Sequence, residues 1–177
     1  DLLYEDKSIL LLNKPINMVV HPAPSCPDQT LANHLLAYYP DIATVGDDPI
    51  RPGIMHRLDK DTEGIMVIAK TQAAFENLKQ QFQDKTVQKK YIALVYGEIK
   101  EDERRINFPL MPNDHPRKKM MVAQYQTKRA KDAETHIKVL KRFTTQTLIE
   151  ATPITGRTHQ IRVHLAHIGH PVIGDPV

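Results

Sequence analysis

The sequence predicts an α+β domain built on a mixed sheet, because apolar runs of strand length outnumber helical patterns along the chain. Two strand pairs are joined by short polar turns, and one strand leads directly into an amphipathic helix. Residues 2–4 and 9–12 are apolar runs separated by Glu5-Asp6-Lys7-Ser8, and they read as a strand pair that ends at Asn13-Lys14-Pro15. Pro22, Pro24 and Pro27 make the next stretch an irregular loop. Leu31, Leu35 and Leu36 then recur at helical spacing, with Asp28 or Thr30 as the cap and an end near Pro40. Residues 41–52 are acidic and rich in turn formers, which predicts an exposed connection.

A continuous apolar run at 65–69 predicts a buried strand. Thr71 caps the helix that follows, whose Ala74, Phe75, Leu78 and Phe82 share one face. Residues 87–96 are rich in β-branched and aromatic side chains and close on Gly97. Residues 133–143 and 146–152 read as two strands with a tight connection. Between these, residues 111–131 are polar, basic and without period. The last helical pattern covers 158–168, with Ile161, Leu165 and Ile168 on one face, Gly169 as the C-terminal cap and Pro171 beyond it.

The 177 residues suit one domain with a sizeable core, taken as 1–177. The formal charge is only +3, yet it is unevenly spread. Residues 1–50 carry two basic and seven acidic side chains, whereas 115–142 carry nine basic and two acidic ones, a concentration suited to a polyanion. Cys26 is the one cysteine, so neither a disulfide within the chain nor a cysteine zinc site is available, as expected of a cytoplasmic protein. No apolar run is long enough to cross a bilayer, and no membrane partner is expected.

Three stretches place polar groups where a plain core or turn does not require them. His56-Arg57-Leu58-Asp59-Lys60-Asp61-Thr62-Glu63-Gly64 has seven polar residues in a nine-residue connection before an apolar strand. By composition alone a solvated turn explains it. In Lys89-Lys90-Tyr91-Ile92-Ala93-Leu94-Val95, alternation puts Tyr91, Ala93 and Val95 on one face; Tyr91 serves either as a core residue or as a platform for a nucleobase. In Thr155-Gly156-Arg157-Thr158-His159-Gln160-Ile161-Arg162-Val163-His164, His159 and Arg162 lie three apart, on a face away from the apolar stripe.

Taken in this order, the three stretches resemble the RluA/RluD-type RNA pseudouridine synthases. The family hallmark H-R-L-D-x-x-T-x-G is matched by His56, Arg57, Leu58, Asp59, Thr62 and Gly64. The likeness extends to Leu12-Asn13-Lys14-Pro15, Val20-His21-Pro22, Lys90-Tyr91, Gly169-His170-Pro171 and Gly174-Asp175. Glu63 stands where serine is usual.

The resemblance implies a mainly antiparallel sheet with flanking helices and a central active-site cleft, no cofactor, no metal, and a monomer acting on RNA. The RNA expected is 23S ribosomal RNA or a ribosomal precursor. A small N-terminal RNA-binding domain, carried by many members, is expected outside this stretch. It assigns the catalytic carboxylate to Asp59, with Tyr91 stacking on the uracil and Arg162 as the salt-bridge partner of Asp59. Arg57 is the residue that fills the gap left by the extruded base, and His56 and Ile161 are expected to contact substrate. Arg117, Lys118, Lys119, Lys128 and Arg129 are expected to hold phosphates.

Four other readings compete. His159, His164, His167 and His170 invite a metal enzyme, but their spacing fits no familiar zinc signature. A nucleotide-binding enzyme would need a clustered glycine loop, which the seven scattered glycines do not make. A non-catalytic RNA-binding module needs no ordered Asp, Tyr and Arg set. A tRNA-specific synthase is the alternative within the family.

Overall fold

A computed structural model describes residues 1–24, 26–114, 120–125 and 127–175. It divides into two compact units, Asp1–Val87 and Gln88–Val177. Every strand pairing among the described residues is antiparallel, and together with three α-helices this gives an α+β fold.

The first unit opens with the expected hairpin, β1 (Leu2–Glu5) and β2 (Ile9–Lys14). Its turn is set by Asp6, whose Oδ1 accepts from the amides of Ser8 and Ile9 at 2.7 and 2.8 Å. β3 (Gly64–Ala69) pairs along the other edge of β2, with Leu12 opposite Met66 and Lys14 opposite Gly64. Period-two alternation puts Leu10, Leu12 and Lys14 on the buried face of β2. Helix α1 (Leu31–Tyr38) starts at Thr30, which with Asn33 forms a capping box, so Thr30 rather than Asp28 fills the capping role. α2 (Gln72–Gln83) is capped by Thr71, as its sequence predicts, and buries Phe75.

Residues 41–52 form the mostly exposed connection expected of them, with a few apolar side chains tucked inward. Pro40 starts a 3-10 helix (Pro40–Thr44), and Ile42 and Val45 are buried. These two apolar side chains anchor a segment whose acidic and turn-forming residues stay largely exposed. Gly53 then passes so close to the end of β3 that a Cβ there would lie 2.4 Å from the Ala69 carbonyl oxygen. Its φ of +70° also belongs to the region glycine enters freely, and its carbonyl accepts from Ala69 N–H at 2.9 Å. This contact fixes where the chain enters the polar loop 54–63.

The second unit is a four-stranded sheet in the order β4 (Tyr91–Tyr96), β9 (Gln146–Pro153), β8 (Glu134–Arg142), β5 (Glu103–Asn107). A hairpin of β6 (Leu110–Pro112) and β7 (Met120–Val122) precedes β8. Helix α3 (Gln160–His167) lays Leu165 against Val95, Ile99, Ile106, Ile137, Ile149 and Ala151 to close the core.

Three sequence expectations shift here. β4 begins at Tyr91 rather than at 87. β5 has no counterpart in the expectation, because Glu103, Arg104 and Arg105 hide a strand in which Ile106 alone is buried. The stretch 111–131 contains most of the β6–β7 pair.

Candidate functional site

In the first unit the polar loop is a strapped structure rather than a solvated turn. Arg57 is exposed, Leu58 is buried, and Asp59 is half-buried. The amide of Thr62 donates to the Asp59 carbonyl at 3.1 Å, closing a turn directly behind the carboxylate. His56 stacks on Phe82, with ring centroids 4.8 Å apart, and its Nε2 accepts from the amide of Val67 at 3.1 Å. β3 is an edge strand, so that amide would otherwise point away from the sheet, and the acceptor role requires an unprotonated Nε2. Thus His56 fastens the start of the loop to β3.

Two residues of β2 hold the other end. Asn13 Nδ2 donates to Glu63 Oε1 at 2.8 Å, which gives a use to the glutamate found where serine is usual. The Lys14 side chain is fully buried. Its ammonium donates to the carbonyls of Pro15, Met18 and Lys60 at 2.8, 3.0 and 3.2 Å. Burial pulls the lysine below its ordinary range, while the nearby charges of Asp61, Asp59 and Glu63 act to keep it protonated. Asp59 therefore sits on a turn whose next carbonyl is gripped by a buried cation.

In the sequence Lys14 stands only as part of a matching motif, with no role of its own. The signal available was a lysine at an inward position of an alternating strand. Nearby, His21 is held below the ordinary histidine range, first by burial and then by Arg57 and Arg51. Its Nδ1 is buried without a hydrogen-bond partner among the described residues.

In the second unit, Tyr91 and Ala93 point to the core side of β4 and pack against the apolar cluster, as alternation predicts. Ile161 packs against the same cluster. Arg162 projects from α3 on another face and meets Asp175, with Nε and Nη2 donating to the two carboxylate oxygens at 2.6 Å each. Both side chains are largely buried, 18% and 8% exposed.

The helix start is unusual, because His159 takes the cap position in a left-handed conformation with φ 55° and makes no side-chain cap bond. Gln160 supplies the order instead. Its amide nitrogen donates to the Glu134 carbonyl and Thr135 Oγ1, and its amide oxygen accepts from Thr155 Oγ1 and the Arg157 amide. Arg157 itself donates through Nε to the Asp132 carbonyl.

The C-terminal histidines have separate tasks. His164 is buried between Thr135 Oγ1 and the Phe108 carbonyl, His167 lies edge-on to Phe108, and His170 Nδ1 lies 2.9 Å from the Tyr96 carbonyl oxygen. Of the expected phosphate contacts, Lys128 is exposed, and Arg129 forms an exposed two-bond pair with Asp114 at 2.9 and 3.4 Å. That pair lowers the pKa of Asp114 and raises that of Arg129. Arg117, Lys118 and Lys119 lie outside the described residues.

A hallmark loop ending in a fastened aspartate, on an α+β fold, defines a class that comparison identifies. The family model described as RNA pseudouridylate synthase matches residues 8–167, and the chain belongs to that family, of RluA type. Among its relatives is the ribosomal large subunit pseudouridine synthase D of Escherichia coli K12, 43% identical over 177 residues, covering 100% of this chain and 52% of that protein. An RNA pseudouridine synthase of Synechocystis is 46% identical over 175 residues, covering 99% and 53%. The solved structure of human RNA pseudouridylate synthase domain containing 1 matches with a TM-score of 0.79 and 28% identity, over 98% of this chain and 67% of that one. The chain spans about half the length of these bacterial relatives.

Proposed function

We propose that this chain is the catalytic part of an enzyme that converts specific uridines of structured RNA, foremost 23S ribosomal RNA, to pseudouridine. The observation that carries the reading is the half-buried Asp59, held on a loop that His56, Asn13 and Lys14 fasten to the sheet. A carboxylate fixed in this way is already organised for reaction, which is what a site must supply when no orientation is gained in solution.

The reaction is an isomerisation. The bond from C1′ to N1 of uracil breaks, one from C1′ to C5 forms, C5 loses its proton and N1 gains one. The balance needs no oxidant, reductant or cofactor. Asp59 attacks the uridine as the nucleophile and so must be ionised. A base closing over the site would desolvate it and favour the protonated form, and the Arg162 guanidinium opposes that. Tyr91 stacks on the uracil and assists loss of the C5 proton, while His56 and Ile161 line the substrate. Arg57, exposed on the same loop as Asp59, fills the gap left by the extruded base. Lys128 and Arg129, with Arg117, Lys118 and Lys119, hold phosphates. The enzyme acts as a cytoplasmic monomer.

Tritium release from RNA labelled at uridine C5 tests the chemistry. Asp59→Asn keeps the shape and removes the charge, so turnover should vanish while RNA binding persists; a variant working near the wild-type rate refutes the assignment. Mapping pseudouridines in cells lacking the protein tests the substrate. Sites lost from 23S RNA support it, and losses confined to tRNA overturn it.

A further inference from the structure

We propose that Asp175 is a positioning residue for this reaction, setting the orientation of the Arg162 guanidinium on which the reaction depends; the inference rests on the function proposed above. A guanidinium has two edges able to bind a carboxylate through two parallel bonds, the side edge of Nε with Nη2 and the end edge of Nη1 with Nη2. Asp175 takes the side edge, with both bonds at 2.6 Å. The plane of the guanidinium is thereby fixed, and its end edge is directed along the axis of the side chain. An arginine held only by its flexible stem would have to lose rotamer freedom at each turnover.

The holder is itself rigid. Asp175 ends a turn over 172–175 that its own amide closes on the Val172 carbonyl at 3.2 Å. Gly174 has φ +80°, as the third residue of a type II turn requires. The turn is tied to β4, since Ile173 N–H donates to the Leu94 carbonyl at 2.9 Å and Tyr96 N–H to the Pro171 carbonyl at 3.0 Å. Tyr91 begins the same strand. One strand thus frames both the proposed stacking residue and the carboxylate that aims the arginine.

The test uses the complete protein and follows single-turnover tritium release at saturating RNA beside the RNA dissociation constant. Asp175→Ala should slow the chemical step about 10- to 100-fold, the penalty of a misplaced catalytic group, and leave affinity within about twofold. Asp175→Asn should fall between this variant and the wild type. Gly174→Ala leaves the carboxylate in place but strains the turn, and should also slow the step without weakening binding. In an Arg162→Met background, Asp175→Asn should cost no more than about twofold further, because a residue acting through Arg162 has nothing left to act on.

Losses that multiply across the two sites, or Asp175 variants that fold and work at the wild-type rate, would overturn the proposal. So would a fall in affinity matching the fall in rate. If Asp175→Ala does not fold, Asp175→Asn and Gly174→Ala decide by the same criteria. An active Asp59→Asn would sink the function itself. An inactive Asp59→Asn beside active Asp175 variants would sink only the positioning role.

Discussion

Lys14→Met removes the buried ammonium that grips the Asp59 turn while keeping nearly the same volume. Three carbonyls, those of Pro15, Met18 and Lys60, lose a charged donor. These acceptors are part-buried and partly open to water, so each loss lies toward the low end of the about 1–3 kcal/mol range for an unsatisfied acceptor and the sum is about 3–5 kcal/mol. Part is offset, because the desolvation cost of holding an ammonium in a fully buried position disappears with it. The lowered pKa of Lys14 is the sign of that cost. We therefore expect a net destabilisation of about 2–4 kcal/mol, measured by urea unfolding.

Activity should fall further than stability requires. With the Lys60 carbonyl released, the C-terminal part of the loop keeps the Asn13 to Glu63 bond but loses its tie at Lys60, and a displacement near 1 Å costs about 100-fold in rate. Single-turnover tritium release under conditions where the variant is fully folded isolates this second effect. A variant within about 1 kcal/mol of wild type and equally active would refute the account of Lys14 as the anchor of the loop.

Replacing Arg117, Lys118, Lys119, Lys128 and Arg129 with alanine should weaken RNA binding and flatten its salt dependence, by about 0.7 to 0.9 in logarithmic slope for each phosphate no longer neutralised. Asp114→Asn should act the other way and tighten binding modestly, since Arg129 would no longer exchange a carboxylate for a phosphate; unchanged slopes in both would remove this segment from the interface. For pH, burial holds the His164 imidazole below its ordinary value of 6.5, with His167 adding to the effect and the Phe108 carbonyl opposing it. On acidification the unfolded chain takes up this proton first, so the contribution is complete above 6.5 and is lost as pH falls through the lower folded value, with a slope of at most about 1.4 kcal/mol per pH unit. His164→Asn should reduce that slope in urea titrations between about pH 7.5 and 5.5 by up to one proton, with His21 still contributing in the same direction, and an unchanged slope would show that His164 is not a proton-linked group.

Elements with a strong period and a capping residue were legible in the sequence. β2 and β3 and the helices behind Thr30 and Thr71 lie where apolar runs and caps put them, because local preference and burial agree there. Legibility failed where one or two apolar residues decide the outcome against a polar majority. Ile106 makes a strand of Glu103–Asn107, and Ile42 with Val45 adds a buried anchor and a 3-10 turn to a connection that otherwise stays exposed. β6 and β7 are three residues each, too short for any period to show.

At the site, the sequence named the groups that could react and missed those that hold them. Asp59, Tyr91 and Arg162 came from the family resemblance, because chemistry requires particular side chains at particular places in a motif. Their supports are distributed differently. Lys14 acts on the loop across 46 positions, Asn13 on Glu63 across 50, and Gln160 on Glu134 across 26. Each is a polar residue whose partner is fixed by the fold alone, and in a sequence such a residue cannot be told from one that faces solvent. Two signals nevertheless exist. Lys14 and Gln160 both stand where an apolar residue would satisfy the pattern, Lys14 at an inward position of a strand and Gln160 in the first turn of a helix that buries Leu165. Burying either without partners would cost several kcal/mol. A polar residue that persists at a core position therefore implies a full set of acceptors or donors around it, and beside a reactive loop that set is the scaffold of the site.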